Sequence, residues 1–567
     1  MSLRQFFSVF LLSILTFSGK SQDFVHPVDI PIVLSGNFGE IRNNHFHTGL
    51  DIKTQGRTGL SIKSVADGSV SRIKVSPFGY GLALYISHPN GYTSVYGHLE
   101  KFHPKIEEWV EEQQYLQKSY EVDLFPPAGK FSFKAGEEIA KSGNSGSSGG
   151  PHLHFEIRDS KTEEAINPLL FNFSVADNTA PTVYGLQVYA LDANSYVNGK
   201  AADNFSMGGS PGNYRLRDGD KIEAHGQIGF SLHTIDRLDA ASNQCGIFEI
   251  TTAINGQNHF KMQLDRLDFS TNRYMNGHID YDIYKRYRKH YHRLHIVENN
   301  LLNIYDEQIN KGIINCTEDT ILDVDVQVKD VAGNTSKLNF EIQSRKKGIV
   351  RVLRGIPNSY KVNALLPFEW KGNQALLNFP ARCLYQSQEI QIEESLTEDA
   401  YPKLIVGDRF IGVQNAFKIS LKIPESLMDI QDKILLGKVG DNGRVYPDNT
   451  GKIEGAYFSA NNRELGTYTL MVDSIAPNIR AINVYNGKEF RAGNTLRFRI
   501  SDVGAGISSY NLFIDDNWCL ATYDYRTGAV NYRVDAKRVK PGKHVLKLVV
   551  SDKLGNESIY TTEISTL

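Results

Sequence analysis

Two distant segments resemble each other closely enough to divide the chain into units. Residues 177–189 read DNTAPTVYGLQVY and residues 473–485 read DSIAPNIRAINVY. Each is a proline-containing linker followed by alternating apolar residues, which predicts the first strand of a new domain. A second pair follows, VDVQVKDVAGNTS at 324–336 and LKLVVSDKLGNES at 546–558, where an alternating strand enters a D-x-x-G-N turn. We therefore predict two copies of one β-sandwich, at 181–345 and 477–567.

A chain of 567 residues is too long for one hydrophobic core and should contain several domains. The two copies resemble the immunoglobulin-like modules of bacterial surface and exported proteins, and the first copy must carry an insertion at about 190–320. Between them, 346–472 alternates again, as in FKISLKI at 417–423, which predicts a β module of unassigned type. The predicted fold class is therefore mainly β, with about three β-sandwich modules after an N-terminal domain.

The N-terminal unit, 23–175, is also predicted to be rich in strands. The segment LALYISHPNGYTSVYGHL at 82–99 contains two alternating runs around Asn90–Gly91, a strong hairpin signal. Alternation places four side chains of the second run on one face: Tyr92, Ser94, Tyr96 and His98. The exception is HPKIEEWVEEQQYLQK at 103–118, with Pro104 in a first turn and apolar residues at helical spacing. It predicts a helix inserted among the strands, with Ile106, Trp109, Val110 and Leu116 on its apolar face.

The first residues have the pattern of a cleaved signal peptide. Arg4 precedes an apolar run at 6–17, and the small residues Gly19 and Ser21 follow it. We predict a signal peptide at 1–21 and an exported protein, periplasmic or associated with the cell envelope. No other stretch approaches the ~20 apolar residues of a spanning helix, so we expect no transmembrane segment after signal cleavage.

Charge and cysteine content constrain partners only weakly. The net charge of −2 gives no indication of nucleic-acid binding. The cysteines, Cys245, Cys316, Cys383 and Cys519, form no CxxC pair. A disulfide between Cys245 and Cys316 and simple buried thiols both remain open.

Histidines and one aspartate form a pattern typical of a metal site. His47 and Asp51 are four residues apart, His98 ends the predicted hairpin, and His152 and His154 share one face of a predicted strand. Two imidazoles, one carboxylate and an open fourth position are the composition of a catalytic zinc site. Histidines left over beside such a metal can transfer protons.

The strings that carry these residues are more specific than their spacing. HTGLD, YGHL and GNSGSSGGPHLHFEI, followed by INPLLF, closely resemble the lysostaphin-like (LytM-like) zinc metallopeptidases that act on peptidoglycan. The resemblance covers about 35–171, with the motifs in family order. It implies a small antiparallel β domain in which the Zn²⁺ ligands are His47, Asp51 and His154.

The resemblance also implies the roles of the other histidines. His98 and His152 are the catalytic pair, which assists attack of a zinc-polarised water on a peptide carbonyl; which of the two is the base stays open. The chain departs from simple family members in the insertion between His98 and Lys134, which contains the predicted helix. This insertion is either a cleft wall or lid, or a structural buttress.

Other histidine-rich or glycine-rich stretches have simpler interpretations. His45 precedes the family's ligand position and is not expected to bind metal, and His88 is expected to form hydrogen bonds at a strand end. GNSGSSGG lacks the GK[ST] ending of a phosphate-binding loop, so we interpret it as a sharp turn. The stretch 277–296 is by default a solvated face, with a second metal site or glycan contact as alternatives; its titratable residues include His278, Asp280, Asp282, His290, His292 and His295.

The leading functional prediction is an exported zinc endopeptidase that cleaves peptide crosslinks or stem peptides of peptidoglycan. The β modules would then bind the wall, act as spacers or recruit envelope proteins. One alternative is a non-catalytic relative that regulates other wall hydrolases, although such relatives have usually lost the zinc ligands. Another is a surface adhesin or scaffold built on the β modules.

Overall fold

A computed structural model describes residues 24–239, 241–348 and 355–567. The predicted signal peptide at 1–21 lies outside the described residues. Within the described ranges, no helix has the length and apolar character needed to cross a membrane. The chain is mainly β, as predicted, and further β modules follow the N-terminal domain. The predicted boundaries define the N-terminal domain (23–175, described from residue 24), the first module (181–345), the middle module (346–472) and the C-terminal module (477–567).

The N-terminal domain contains one large antiparallel sheet, a separate two-stranded sheet and a single inserted α-helix among its described residues. Its elements are β1 Leu34–Gly36, β2 Ile41–Arg42, β3 His45–Phe46, β4 Leu50–Lys53, β5 Ser61–Lys63, β6 Gly68–Val75, β7 Leu82–Ser87, β8 Tyr92–Phe102, α1 Pro104–Gln117, β9 Val122–Leu124, β10 Ser132–Phe133, β11 Glu138–Ser142, β12 His152–Asp159 and β13 Ala165–Ile166. The main strand order is β1-β4-β12-β8-β7-β6-β10. Strand β12 therefore lies between β4 and β8, with His154 opposite Asp51 on one side and Gly97 on the other.

Two of the local predictions for this domain are confirmed. Strands β7 and β8 pair as the predicted hairpin, and α1 begins at Pro104 after the N-cap His103, whose ring accepts a hydrogen bond from the Lys105 N–H. The predicted apolar face is correct at Ile106 and Val110, which are buried, but wrong at Leu116, which is 76% exposed. Gln114 is buried in its place and donates to the Tyr120 carbonyl.

The predicted shared face of the second hairpin strand is wrong at its end. Tyr96 is buried in the core against Phe155. His98 has a left-handed φ of 58°, and the β7–β8 register shifts beside it. Such an irregularity turns the next side chain to the other face of a sheet, so His98 lies beside the ring of His152 instead.

The first module joins the N-terminal domain through shared pairing and packing. Its elements are β14 Thr182–Ala190, β15 Tyr196–Val197, β16 Ala202–Ser210, β17 Asn213–Leu216, β18 Ile222–Ile235, β19 Glu249–Ile254, β20 Gln257–Gln263, β21 Arg266–Leu267, α2 Met275–His278, α3 Tyr281–Tyr287, β22 Tyr291–Arg293, β23 Tyr305–Gln308, β24 Ile314–Cys316, β25 Thr320–Lys329 and β26 Thr335–Ser344. Strand β21 pairs with β13 of the N-terminal domain. Buried side chains of both units form one continuous hydrophobic cluster.

The two later modules each consist of two sheets around a separate core. The middle module contains β27 Ser359–Val362, β28 Phe368–Lys371, β29 Ala375–Phe379, β30 Gln388–Leu396, β31 Pro402–Val406, β32 Phe417–Lys422, β33 Ile434–Val439, β34 Val445–Asn449, β35 Lys452–Glu454, β36 Tyr457–Asn462 and β37 Gly466–Val472. The C-terminal module contains β38 Asn478–Ala481, β39 Lys488–Phe490, β40 Thr495–Ser501, β41 Ile507–Ile514, β42 Asn517–Cys519, β43 Thr522–Asp524, β44 Ala529–Arg533, β45 Gly542–Asp552 and β46 Glu557–Thr566. Their immunoglobulin-like character stays a prediction.

The cysteines are free and buried. The alternative of a disulfide between Cys245 and Cys316 is therefore wrong for this structure, and the simpler interpretation of buried thiols is correct. Burial raises the pKa of Cys245 to about 12 and that of Cys316 to about 11. Both thiols are thus protonated and unreactive at neutral pH.

Candidate metal centre

Three side chains meet on one face of the N-terminal sheet. Asp51 lies on β4, His154 lies on β12 directly opposite, and His47 lies in the short connection between β3 and β4. His47 Nε2, His154 Nδ1 and Asp51 Oδ1 are each 3.1 Å from the other two atoms. Two ligand atoms about 2.0–2.1 Å from a tetrahedral Zn²⁺ ion are ~3.3 Å apart. The three atoms could therefore hold one metal ion.

The connection around His47 depends on a glycine. A Cβ atom at Gly49 would lie 2.5 Å from the Phe155 carbonyl oxygen and 3.0 Å from Cε1 of His154. Both distances are shorter than ordinary contacts, so a larger residue would push β4 away from β12. Gly49 thus permits the close approach that brings His47 to His154.

On each of the two candidate ligand histidines, a hydrogen bond to the ring nitrogen away from the cluster leaves the lone pair of the other nitrogen directed towards Asp51. His47 donates through Nδ1 to the Asn37 carbonyl at 2.8 Å, and His154 donates through Nε2 to Glu156 at 2.8 Å. Both partners can only accept, so each neutral ring carries its lone pair on the nitrogen that faces Asp51. Such outer partners are typical of histidines that ligate metals. Three acceptors thus converge, and a cation or a proton must neutralise them.

The electrostatics of the metal-free cluster agree with this requirement. Burial opposes charge on His154, but hydrogen bonds to Asp51 and Glu156 raise its pKa to about 9. Burial likewise opposes charge on Asp51, yet His47 and its other ring partners hold the Asp51 pKa well below its ordinary value. A proton on His154 therefore occupies the position that a metal would take, and metal binding would release it.

His98 and His152 lie beside the same cluster of candidate ligand atoms. His152 Nε2 lies 3.3 Å from Asp51 Oδ1, and the rings of His98 and His152 are 4.7 Å apart. His98 donates through Nδ1 to the Ser145 carbonyl and His152 to the Gly150 carbonyl, each at 2.8 Å. Burial and then the charges of His154 and His152 lower the His98 pKa to about 3, so His98 is neutral at physiological pH.

The cleft opens on the side of His152. The His152 side chain is 16% exposed, compared with 7% for His47 and 4% for His154. The glycine-rich segment 143–150 borders this opening and supplies the carbonyls that hold both catalytic candidates. All of the residues predicted as ligands or catalytic groups therefore lie around one cleft, although their roles stay predictions.

Sequence reasoning missed the groups behind the ligands. Glu156 is fully buried and accepts from His154, Tyr80, Thr48 and Arg158. Arg42 donates to Asp51 Oδ2 at 2.8 Å, which leaves the other carboxylate oxygen for the cluster. Glu156 carries a signal that alternation could have found, because it continues the face of His152 and His154 on one strand. Arg42 carries no comparable signal.

The other histidine predictions have mixed outcomes. His45 is exposed, and its ring contacts the Asn43 carbonyl. His88 forms the expected hydrogen bonds, to the Asp67 carbonyl and the Ser94 hydroxyl.

The solvated face predicted for 277–296 is correct in the middle of the stretch, where Asp282 and residues 286–289 are exposed. It is wrong at both ends, where the histidines are buried; they are His278, His292 and His295. His278 Nε2 and His292 Nδ1 are 3.0 Å apart. Burial, followed by the charges of Arg293 and His295, lowers the His278 pKa to about 3, so this is a neutral hydrogen-bonded pair.

Comparison with known proteins agrees with this geometry. Residues 45–122 match the family model described as peptidase family M23. The N-terminal domain is a peptidase family M23 domain. This confirms the resemblance to lysostaphin-like enzymes on which the ligand prediction depends. Residues 361–473, within the middle module, match the model of a Zu5-like domain.

Curated relatives of the M23 domain are peptidases by name. An uncharacterized metalloprotease of Haemophilus influenzae is 32% identical over 123 residues, which cover 22% of this chain and 20% of the relative. The DD-carboxypeptidase/endopeptidase Mpg of Neisseria meningitidis is 30% identical over 112 residues, which cover 20% of each chain. The similarity thus spans about a fifth of the length of these relatives.

Among solved structures, a zinc-containing peptidase from Vibrio cholerae is 27% identical and covers 24% of this chain and 37% of its own, with a TM-score of 0.18. The catalytic domain of the prophage-encoded M23 protein EnpA from Enterococcus faecalis is 25% identical and covers 24% and 89%, also with a TM-score of 0.18.

Proposed function

We propose that the protein is a zinc metalloendopeptidase that hydrolyses peptide crosslinks or stem peptides of peptidoglycan. The observation that carries the proposal is the convergence of acceptor atoms from His47, Asp51 and His154 beside a cleft lined by two further histidines. The donor set of two imidazoles and one carboxylate suits Zn²⁺ and leaves one coordination position open. When bound there, zinc supplies a Lewis acid that polarises the scissile carbonyl and lowers the pKa of water.

The chain's own residues would bind, orient and move protons around that ion. His47, Asp51 and His154 are the ligands, and Glu156 and the Asn37 carbonyl keep the two ligand rings in the required tautomers. His98 and His152 each present Nε2 to the cleft, because Nδ1 of each donates to a loop carbonyl. An imidazole with a free Nε2 lone pair can accept a proton from water and then transfer that proton to the leaving amine.

The substrate class is inferred from the family and from the predicted export. One relative with a similar M23 domain is named as a DD-carboxypeptidase and endopeptidase, and the pattern at 1–21 predicts passage to the envelope where peptidoglycan lies. Cleavage after Ser21 would make Gln22 the first residue of the mature chain. N-terminal sequencing of protein recovered from the cell envelope tests this part of the proposal.

Digestion of crosslinked sacculi tests the activity. The signal-free chain should convert dimeric muropeptides to monomers, and a chelator should stop the reaction. The variant His152→Ala should keep about one equivalent of zinc and lose activity, since its proposed role is proton transfer, whereas Asp51→Ala should lose the metal. His45→Ala is the matched control, because His45 neighbours the ligand but is exposed. Intact sacculi together with digestion of denatured casein would replace the proposal with a general metalloprotease.

The regulatory alternative predicts a different result in the same assay. A non-catalytic regulator would leave sacculi intact alone and accelerate a second hydrolase added to the mixture. The complete set of predicted ligands in one cluster disfavours it. The adhesin alternative concerns the β modules and is compatible with an active N-terminal domain.

A further inference from the structure

Three carboxylates meet where the linker from the N-terminal domain enters the first module. Asp177 lies in the linker, Asp236 directly follows β18, and Asp330 directly follows β25. Each offers an oxygen, and the three atoms all lie within 4.8 Å of one another. This cluster belongs to a different part of the fold from the M23 site.

Two oxygens of this cluster are buried without a hydrogen-bond donor. Within the described ranges, neither Asp236 Oδ1 nor Asp177 Oδ2 has a partner. The Asp236 residue is only 2% exposed, so water cannot freely take the place of a donor. A buried carboxylate oxygen that has neither a donor nor a cation strongly disfavours the ionised state. By contrast, both Asp330 oxygens accept from Asn334, through its N–H and its side-chain amide.

The C-terminal module provides an internal comparison because it repeats the same arrangement. There the cluster is Asp473, Asp502 and Asp552. In both units the asparagine of the D-x-x-G-N turn holds the linker: Asn334 donates to the Asp177 carbonyl at 3.2 Å and Asn556 to the Asp473 carbonyl at 3.0 Å.

The two units differ in the donors that reach the linker aspartate. Asp473 Oδ2 accepts from the Ala505 N–H at 2.7 Å and its Oδ1 from the Ile475 N–H at 3.1 Å. In the first module, Asp177 Oδ1 accepts from the Thr179 N–H at 3.2 Å, while Oδ2 lacks a donor. Asp502 Oδ1 likewise lacks a donor among the described residues, but Asp502 Oδ2 accepts from the Gly504 and Gly506 N–H groups. Backbone N–H groups therefore neutralise the C-terminal cluster, with one orphan oxygen, more fully than the first cluster, with two.

The charges that face Asp236 further disfavour its ionised state. Burial, followed by the charges of Asp177 and Asp330, raises the Asp236 pKa to about 8, while Arg237 acts in the opposite direction. Burial, together with Asp330 and Asp239, raises the Asp177 pKa to about 6. A cation bound among these oxygens would stabilise the ionised carboxylates, which otherwise have to be neutralised by a proton.

We propose that Asp177, Asp236 and Asp330 bind one Ca²⁺ ion that fixes the linker to the first module. The ligand set is carboxylate only, which suits a hard cation and not the zinc of the M23 site. Calcium accepts irregular geometry and completes its six to eight ligands with water and carbonyl oxygens. Asp177 is partly exposed, which leaves a path for the ion. Binding to the folded state alone would raise the stability of the chain.

Calcium titration of the metal-stripped, signal-free chain tests the proposal. The background variant His154→Ala disables the zinc site, so that effects of calcium do not depend on it. We expect about one equivalent of Ca²⁺ by calorimetry and a rise in Tm when calcium is added. Mg²⁺ should bind more weakly, because it loses its water reluctantly and demands a regular octahedron.

Substitutions then locate the ion. Asp236→Asn should abolish both the binding heat and the calcium-dependent rise in Tm, and the matched Asp502→Asn in the C-terminal module should leave both unchanged. If Asp236→Asn does not fold, Asp177→Asn replaces it in the test, because Asp177 is partly exposed. This variant should also lose the binding heat and the calcium-dependent rise in Tm. Absence of calcium binding by the parent chain, retention of binding by Asp177→Asn and Asp236→Asn, or loss only in Asp502→Asn would overturn the proposal.

Discussion

Glu156 lies fully buried two residues after His154 on β12 and accepts the hydrogen bond from its Nε2. Although burial opposes its charge, Arg158 and His154 hold the Glu156 pKa below its ordinary value. The carboxylate is therefore ionised beneath the ligand ring. In that state it selects the His154 tautomer and increases the basicity of Nδ1, the proposed ligand atom.

Replacing Glu156 by glutamine should weaken metal binding. The variant Glu156→Gln keeps the shape but removes the charge, and we expect zinc affinity to fall by about 10–100-fold. It also leaves the buried Arg158 without its main partner, so the free energy of unfolding should fall by roughly 3 kcal/mol.

The matched control is Glu163→Gln, because Glu163 also faces Arg158, at 3.5 Å, but its side chain is 58% exposed. Zinc affinity can be measured by competition with a chromophoric chelator. Equal affinities of Glu156→Gln and Glu163→Gln would show that Glu156 does not tune the ligand.

The acidic cluster of the first module predicts a pH dependence of stability. The Asp236 pKa is about 8 in the folded chain, compared with an ordinary value of 3.8. A pKa raised by folding adds stability that is fully present below the ordinary value and is lost as pH rises through the folded value. Without calcium, the contribution of Asp236 to stability should therefore fall between about pH 5 and about pH 8.

Thermal unfolding at both pH values measures this effect. Asp236→Asn should lack this loss, so its Tm at pH 8 relative to pH 5 should lie above that of the parent chain, where ~1 kcal/mol corresponds to about 2–4 °C for a domain of this size. Saturating calcium should shift the parent chain in the same direction, because calcium would stabilise the ionised form of Asp236 at pH 8. The same difference in parent and Asp236→Asn proteins would mean that Asp236 ionises normally.

At the scale of elements, the alternation of the sequence predicts the strands better than it predicts their faces. It identifies the β7–β8 hairpin and the β12 face that carries His152 and His154. It fails at His98, because the left-handed φ of 58° and the register shift depend on how β8 fits its neighbours. The resemblance of whole motifs identifies His98 where periodicity cannot.

The first module also holds the element that carries His47. Asn272 accepts from the Phe46 N–H at 2.7 Å and donates to the Phe46 carbonyl at 2.9 Å. The Asn37 side chain forms a similar pair with Gly246, at 2.8 and 2.7 Å, while the Asn37 carbonyl holds His47. These contacts join residues more than 200 positions apart in the chain, which a single sequence does not reveal.

Replacing Asn272, which forms two hydrogen bonds with the Phe46 backbone, should make the position of the neighbouring His47 less fixed. Asn272→Ala leaves a buried N–H and carbonyl of Phe46 unpaired, which should lower the free energy of unfolding by about 1–3 kcal/mol. Zinc affinity of the folded protein should fall by roughly tenfold, the lower range for lost outer partners.

Asn276→Ala is the matched control. Asn276 is equally buried near the same interface, but it contacts the side chains of Asn44 and Tyr385. We expect this variant to lose stability and keep its zinc affinity. If both variants bind zinc as the parent does, the hydrogen bonds between Asn272 and Phe46 contribute to folding only.

At the scale of the whole molecule, the C-terminal module contacts the N-terminal domain at two places. Helix α1 is one contact: the Tyr115 ring lies 3.3 Å from the Arg538 guanidinium and 5.5 Å from the Trp518 ring. The inserted helix therefore supports this module, and its role as a cleft wall stays a prediction. The connection between β43 and β44 is the other contact, through Tyr525 and Arg526.

This second contact reaches the loop that orients the catalytic candidates. Arg526 donates to the carbonyls of Ser148 and Asn144, and the Tyr525 hydroxyl contacts Ser147. The same loop holds His98 through the Ser145 carbonyl. No local pattern could have predicted that residues near 526 bear on the cleft, because the contact spans almost 380 positions of the chain.

Arg526→Ala should therefore impair catalysis without removing the metal. A loop that loses its outer support holds both histidines less firmly, and small misplacements of catalytic groups are costly, by up to about 100-fold. We expect kcat to fall by roughly tenfold on crosslinked muropeptides while zinc content stays unchanged. Arg538→Ala is the matched control, because Arg538 docks the same module on α1; its kcat should stay within about twofold of the parent value. Equal losses in the two variants would assign the effect to docking as a whole, and an unchanged kcat in Arg526→Ala would show that the loop holds its histidines without help.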